Sequence, residues 1–179
     1  MEVLTVNFIT SCNLPLRLVE CSSFRNLLAY LNPDIDTWLP EDHHTINTWI
    51  IRQYDFQKVK IKSRLQSAKS CIHLTIDLWT SGNDLALIGI IAHFVNQQGE
   101  LEELSLCLKE VEGEHTGQNL SKYALDTIEE YGIASKLGYL QMDNAPNNDV
   151  MIRYISIGKL AVFIGTIVSN FGYRASSRI

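Results

Sequence analysis

Alternation of apolar and polar residues from Ile72 to Leu78 is the clearest pattern in the chain. The run reads IHLTIDLWT, so an apolar side chain stands at every second position from Ile72 to Leu78. The pattern predicts a β-strand with one apolar and one polar face. Asp77 lies on the polar face, and it is unusual there because aspartate is a poor strand former and an unpaired carboxylate is costly to bury.

Two further strands are predicted directly after this one. The segment 85–96, LALIGIIAHFVN, is almost continuously apolar, which is typical of a strand buried on both faces. Alternation over 104–109 predicts a third strand. Turn residues at 81–84 and 97–100 join the three strands into an antiparallel meander.

A helix, a fourth strand and a second helix follow the meander. Apolar residues at helical spacing predict a helix over 120–131, which Gly132 ends. The segment 137–143 predicts a strand that ends in an acid, and Asn147 or Asn148 can cap a short helix after it. The order β-β-β-α-β-α predicts the α/β class with a mixed sheet.

The chain before Ile72 predicts helices. Spacing of apolar residues predicts one helix over Ser22–Leu31, ending before an Asn-Pro pair. Thr45 is predicted as the N-cap of a second helix, with a possible break near Asp55-Phe56. The second helix is basic, and its charges form either a solvated face or a set of phosphate contacts. The residues concerned are Lys58, Lys60, Lys62 and Arg64.

Composition limits the class of protein. The chain has 179 residues, 46% of them hydrophobic, and a formal net charge of −5, which argues against tight DNA binding by this chain alone. Its four cysteines have no zinc-finger spacing, so reduced thiols in an intracellular protein are expected. No signal peptide is predicted, and the apolar run 157–168 is shorter than the roughly 20 residues that span a bilayer, so no membrane partner is expected.

Asp77 and Asp143 form a candidate pair of metal ligands. If their strands are neighbours, both carboxylates approach one edge of the sheet, where a cation would relieve their repulsion. Oxygen ligands of this kind suit Mg²⁺ or Mn²⁺. The alternatives are an Asx-turn role for Asp143 and, for Asp77, a hydrogen bond to a neighbour such as Thr80.

Four runs in fixed order carry a resemblance to a known family. They are DLWTS, HFV, EGEHTGQN and DNAPNN, within a similarity that covers roughly residues 8 to 157. The chain resembles the hAT superfamily (hobo/Ac/Tam3) of DNA transposases, with an RNase H-like core. The resemblance implies a partial RNase H-like fold preceded by a helical segment.

The resemblance also implies a chemistry. It makes Asp77 the first and Asp143 the second acid of a catalytic DDE triad that uses Mg²⁺ or Mn²⁺. DNA is then the partner and the nucleus the location. Beyond the triad, His115 is a candidate DNA contact or metal neighbour, or a solvated loop residue. Trp79 is interpreted as packing rather than as a DNA-facing wall, and His93 as a core histidine.

Three parts of the family pattern are not found. They are a BED-type zinc finger, the helical insertion with the third acid, and the C-terminal dimerisation region. Expected domains are a helical segment at 1–70, the N-terminal half of the core at 71–157, and a divergent tail at 158–179. The chain is expected to be inactive by itself and to risk self-association through exposed core. The alternatives are a non-catalytic module that binds nucleic acid or protein, and a decayed reading frame.

Overall fold

The alternating segment forms strand β1 (Ile72–Thr80), with the predicted bounds. In this computed structural model, residues 1–143, 146–157 and 166–168 are described. The chain divides into two compact units, Met1–Lys60 and a second unit that begins at Ile61. The predicted domain boundaries at 70/71 and 157/158 stay predictions.

The first unit is helical. Helices α1 (Glu2–Ser11) and α2 (Ser22–Leu31) are joined by a 3-10 turn at Leu16–Glu20, and a second 3-10 turn lies at Ile35–Thr37. A small apolar core holds the unit together. Its buried members are Ile9, Val19, Ile35, Leu39 and Ile46.

Helix α3 (His43–Gln66) differs from its prediction at two points. Thr45 is not the N-cap, because the helix begins two residues earlier. Asp42 takes the capping role, since its carboxylate accepts the Thr45 N–H at 2.9 Å, and this bond lowers the pKa of Asp42. The expected break near Asp55 is also wrong, because the helix is continuous there.

The second unit is built on a mixed sheet. After β1 come strands β2 (Ala86–Val95) and β3 (Leu101–Glu110), helix α4 (Gly117–Tyr131), a 3-10 turn at Ala134–Lys136, strand β4 (Leu137–Met142), helix α5 (Pro146–Ile157) and strand β5 (Thr166–Val168). The strand order is β3-β2-β1-β4-β5. Strands β1, β2 and β3 pair antiparallel, whereas β4 pairs parallel with β1 and β5. The partial RNase H-like α/β fold is therefore confirmed.

One face of the sheet carries the core. Side chains of α4 and α5 pack there against alternate residues of the strands, such as Leu74, Ile90 and Leu140, which are fully buried. The opposite face is open among the described residues. The prediction that β2 is buried on both faces is therefore wrong: its residues alternate, and Ile91 is 37% exposed.

Strand β4 contains a bulge. Ile72 of β1 pairs with Leu137, but Leu74 pairs with Leu140, so β4 has one extra residue between the two pairs. Leu137 and Leu140 are three positions apart and both buried, which a regular strand does not allow. The bulge therefore restores the alternation of faces for the rest of β4.

Within the C-terminal region, the structure describes helix α5 and strand β5. Helix α5 begins at Pro146, a favourable first helical residue, slightly before the predicted caps, whose side chains lie outside the described ones. Thr166–Val168 forms β5 beside β4. Residues 158–165 and 169–179, most of the expected tail, lie outside the described residues. None of the described helices has the length and apolar character needed to cross a membrane.

Candidate functional site

The two acids predicted from the sequence lie at one end of the open sheet face. Strands β1 and β4 run parallel, and Thr75 pairs with Gln141. Continued two residues further, to the position directly after the end of β4, the same register brings Asp143 level with Asp77. Both residues are exposed, and Asp77 lies on the face opposite the buried side chains of β1. The sheet therefore brings together the two carboxylates that the sequence singled out.

Gly89 and Trp79 form the surroundings of Asp77 on the β2 side. Gly89 is the cross-strand partner of Asp77, and a Cβ on Gly89 would lie 3.0 Å from Cζ3 of the Trp79 ring. The ring thus packs on the space that the glycine leaves, and 40% of the residue remains exposed. Asp77 has no hydrogen bond to any described residue, Thr80 included, so its carboxylate is available to a ligand.

The donor chemistry of this pair fits a hard divalent cation. Two carboxylates at the same height on neighbouring parallel strands offer anionic oxygens toward solvent, and Mg²⁺ is commonly held by one or two carboxylates with water in the other positions. Within residues 1–143 and 150–155, no group of three or more His, Cys, Asp or Glu side chains is arranged to hold a metal. The described part of the chain therefore offers two candidate ligands, Asp77 and Asp143.

The EGEHTGQN run forms most of the loop between β3 and α4 and the first three residues of α4, at the same end of the sheet. The Asn119 side-chain amide donates to the backbone carbonyls of Glu112 and Glu114, at 2.8 and 3.0 Å. The Thr116 hydroxyl accepts the Asn119 N–H at 3.3 Å and caps α4. These bonds give Thr116 and Asn119 structural roles in the run, and exposed His115 lies on the same loop. Its role as a DNA contact stays a prediction.

The basic residues of α3 have partners within the protein. Lys58 Nζ lies 5.5 Å from the centre of the Tyr54 ring, and Lys60 Nζ lies 4.3 Å from that of Phe56. Arg64 donates from Nη2 to Glu102 at 2.7 Å. These contacts agree with a solvated helix face, and phosphate binding by these residues and Lys62 stays a prediction.

Sequence reasoning missed a polar row across the open face. His73 and His93 are cross-strand partners on β1 and β2, and with Tyr139 and Gln141 of β4 they line a cavity of about 360 Å³. Only the alternation itself could have indicated this row, since His73 shares the face of Asp77.

His93 is not a core residue as predicted. It lies on the open face and is half-buried, because β2 is covered on one side only. Its Nε2 lies 3.0 Å from the Thr75 hydroxyl and its Nδ1 3.3 Å from Oε1 of Glu103. The expectation that its polar atoms are satisfied is confirmed.

His73 contacts the bulge of β4. Its Nδ1 accepts the backbone N–H of Tyr139 at 3.0 Å, and the two rings stack with centroids 5.3 Å apart. A backbone N–H can only donate, so Nδ1 of His73 carries no proton and the proton of the neutral ring is on Nε2. The histidine therefore bonds the extra residue of the neighbouring strand.

Comparisons with known proteins agree with this geometry. The family model described as ZBED1 RNase-like domain matches residues 75–160. The chain is 28% identical over 141 residues to the protein named Putative AC transposase of Zea mays, covering 79% of this chain and 17% of that protein. It is 23% identical over 160 residues to Zinc finger BED domain-containing protein RICESLEEPER 3 of Oryza sativa subsp. japonica, covering 84% and 20%.

A third relative is named as a transcriptional regulator rather than as a transposase. Putative transcriptional regulator tpeD of Talaromyces stipitatus is 29% identical over 153 residues, covering 84% of this chain and 18% of that protein. The chain thus spans about a fifth or less of the length of these relatives. The sheet order, the family match and these relatives agree, and together they support an hAT-family transposase-related protein.

Proposed function

We propose that this chain supplies two carboxylate ligands, Asp77 and Asp143, to a divalent metal centre that cuts and rejoins DNA in a longer hAT-type protein or assembly. The observation that supports the proposal is the parallel β1–β4 register, which pairs Thr75 with Gln141 and, continued by two residues, brings Asp77 and Asp143 level on the exposed face. DNA is then the partner of the complete centre, and the nucleus its location.

The metal would be Mg²⁺ or Mn²⁺. When bound, such an ion activates a water or a 3′-hydroxyl and stabilises the leaving oxygen of a phosphodiester. The chain's own contribution is to hold two anionic oxygens at a fixed spacing on a rigid sheet. Gly89 and the Trp79 ring define the wall of the site on the β2 side.

The chain by itself is expected to bind metal weakly and to lack catalytic activity. The described residues provide two carboxylates, whereas the family resemblance implies three. Fewer charged ligands lower the affinity of an oxygen site for divalent cations. The relative named as a transposase supports the assignment to DNA chemistry, although the matched region covers 17% of that protein.

Metal binding tests the site directly. Mn²⁺ titrations of the full chain, followed by electron paramagnetic resonance, would compare Asp77→Asn, Asp143→Asn and the matched control Asp126→Asn, which removes an exposed acid from α4. We expect each site variant to bind about tenfold more weakly, a loss of about 1.4 kcal/mol, and the control to bind like the wild type. Equal affinity in all four proteins would refute the metal site.

A nicking assay tests the expected lack of activity. Supercoiled plasmid would be incubated with Mn²⁺ and either the wild type or Asp77→Asn. We expect no difference between them. Nicking by the wild type alone would show that the chain completes the centre without further ligands.

A non-catalytic DNA-binding role is the second candidate, favoured by the relative named as a transcriptional regulator. It predicts duplex DNA binding in fluorescence anisotropy that weakens with salt and survives Asp77→Asn. No binding at low salt would exclude it.

A further inference from the structure

We infer that His73 and Gly138 are positioning residues for the acid pair, because together they hold the β4 bulge that brings Asp143, rather than Met142, beside Asp77. This inference rests on the proposed metal site. It concerns how the sheet sets the spacing of the two carboxylates.

The register shows what the bulge does. At the start of the ladder Ile72 pairs with Leu137. Continued without a bulge, that register would give Asp77 the partner Met142. The extra residue shifts β4 by one position, so that Leu74 pairs with Leu140 and Asp143 comes level with Asp77.

The shift also decides which face each side chain occupies. A slip of one residue turns every side chain of a strand to the opposite face. In the structure Met142 is buried against the helices and Asp143 is exposed. Without the bulge, Asp143 would turn toward the core, where an unpaired carboxylate is costly, and the acid pair would be lost.

His73 accepts a hydrogen bond from a backbone N–H that the bulge leaves out of the ladder. The extra residue of a bulge is left out of the ladder, so its backbone groups need another partner. Tyr139 N–H donates to Nδ1 of His73 at 3.0 Å, and the Tyr139 ring stacks on the imidazole at an interplanar angle of 10°. One side chain of β1 thus satisfies the irregular part of β4.

Gly138 supplies the space. A Cβ at this position would lie 2.6 Å from Nδ1 of His73 and 2.7 Å from its Cε1. Both distances are well inside van der Waals contact. The imidazole can lie against the β4 backbone, close enough to accept the Tyr139 N–H, because residue 138 has no side chain.

The test measures the register itself as well as metal binding. Isotope-labelled full chain would be examined by NMR for cross-strand contacts between residues 76–77 and 142–143, and for exchange of the Tyr139 amide. The variants are His73→Leu, which removes the acceptor, and His73→Asn, whose side-chain oxygen can replace Nδ1. His93→Leu is the control, because it removes the cross-strand neighbour of His73, whose ring nitrogens contact Thr75 of β1 and Glu103 of β3 rather than β4.

We expect His73→Leu to expose the Tyr139 amide to exchange, to lose the cross-strand contacts near Asp143, and to bind Mn²⁺ about tenfold more weakly. His73→Asn should restore the contacts and bring Mn²⁺ affinity to within about threefold of the wild type. His93→Leu should keep both the cross-strand contacts near Asp143 and the Mn²⁺ affinity of the wild type. Rescue by asparagine separates loss of the hydrogen bond from a general loss of packing.

The outcomes distinguish the two proposals. If His73→Leu keeps the cross-strand contacts and its Mn²⁺ affinity while Asp77→Asn weakens binding, the inference about His73 is wrong and the metal site stands. If neither aspartate variant changes Mn²⁺ binding, the metal site is wrong, and the NMR contacts still decide whether His73 sets the register. Should His73→Leu fail to fold, Gly138→Ala with Gly82→Ala as control applies the same criteria.

Discussion

Substitution of Gly138 by alanine tests the tight contact at the β4 bulge through stability. The added Cβ would lie 2.6 Å from His73 Nδ1 and 3.1 Å from the Cβ of Cys71. The imidazole is held by its bond to Tyr139 N–H and cannot move away without breaking it. The new methyl group must therefore displace the ring or the backbone.

Three effects set the magnitude. Overpacking costs about 1–3 kcal/mol, and loss of the Tyr139 N–H···Nδ1 bond costs about 0.5–1.5 kcal/mol. Replacing glycine lowers the entropy of the unfolded chain, which returns about 0.4–1 kcal/mol. The free energy of unfolding should fall by about 2 kcal/mol, and Tm by roughly 4–8 °C for a chain of this size.

Urea unfolding of the wild type and Gly138→Ala would measure the change, with Gly82→Ala as the matched control. A Cβ on Gly82 meets nothing within 4 Å, so we expect the control to unfold within about 0.5 kcal/mol of the wild type. If Gly138→Ala is as stable as Gly82→Ala, the close approach of His73 to β4 is not a real constraint, and the role inferred for Gly138 fails with it.

Three other measurements test separate parts of the second unit. Burial raises the pKa of the Cys107 thiol, so a thiol reagent should modify the three exposed cysteines in the native protein and Cys107 only after unfolding; equal rates for all four would contradict this. Thr116→Ala removes the cap of α4 and should lower the free energy of unfolding by about 1 kcal/mol in a urea titration. Thr116→Ser keeps the hydroxyl and should therefore keep most of the stability that the cap provides. Hydrogen bonds from Asn96 and Arg64 lower the pKa of Glu102 from its ordinary value of 4.5, so the stabilisation is present above that value and is lost as pH falls through the lowered pKa. The free energy of unfolding of Glu102→Gln should therefore differ from that of the wild type at pH 7 and converge with it in acid. A difference that stays constant with pH would be evidence against the pairing.

Alternation was sufficient to predict β1 and the face of Asp77, because one buried face imposes a period of two on the sequence. The same reasoning gave the bounds of α2, where apolar spacing and the Asn-Pro stop agree. The pairing of β1 with β4 meets the condition under which Asp77 and Asp143 were expected to approach each other, and their role as metal ligands stays a prediction.

Other features depend on tertiary contacts that the pattern of residues along the chain does not reveal. The apolar run of β2 does not reveal that helices cover only one side of it. Helix α1 begins with residues of mixed helix preference, and it is held by burial of Val6 and Ile9. The bulge at Gly138 was not predictable because its cause, the imidazole of His73, stands 65 positions earlier in the chain.

Strand β3 stands at one end of the strand order, so in the described part of the chain one row of its backbone groups has no neighbouring strand. Such an edge can recruit a strand from another molecule. Here the strand is interrupted by a bulge at Leu106 and carries Glu102, Glu103, Lys109 and Glu110. A foreign strand would have to match an irregular ladder and accommodate these charges, so the bulge and the charges of β3 disfavour fibril-like growth of the sheet at this edge.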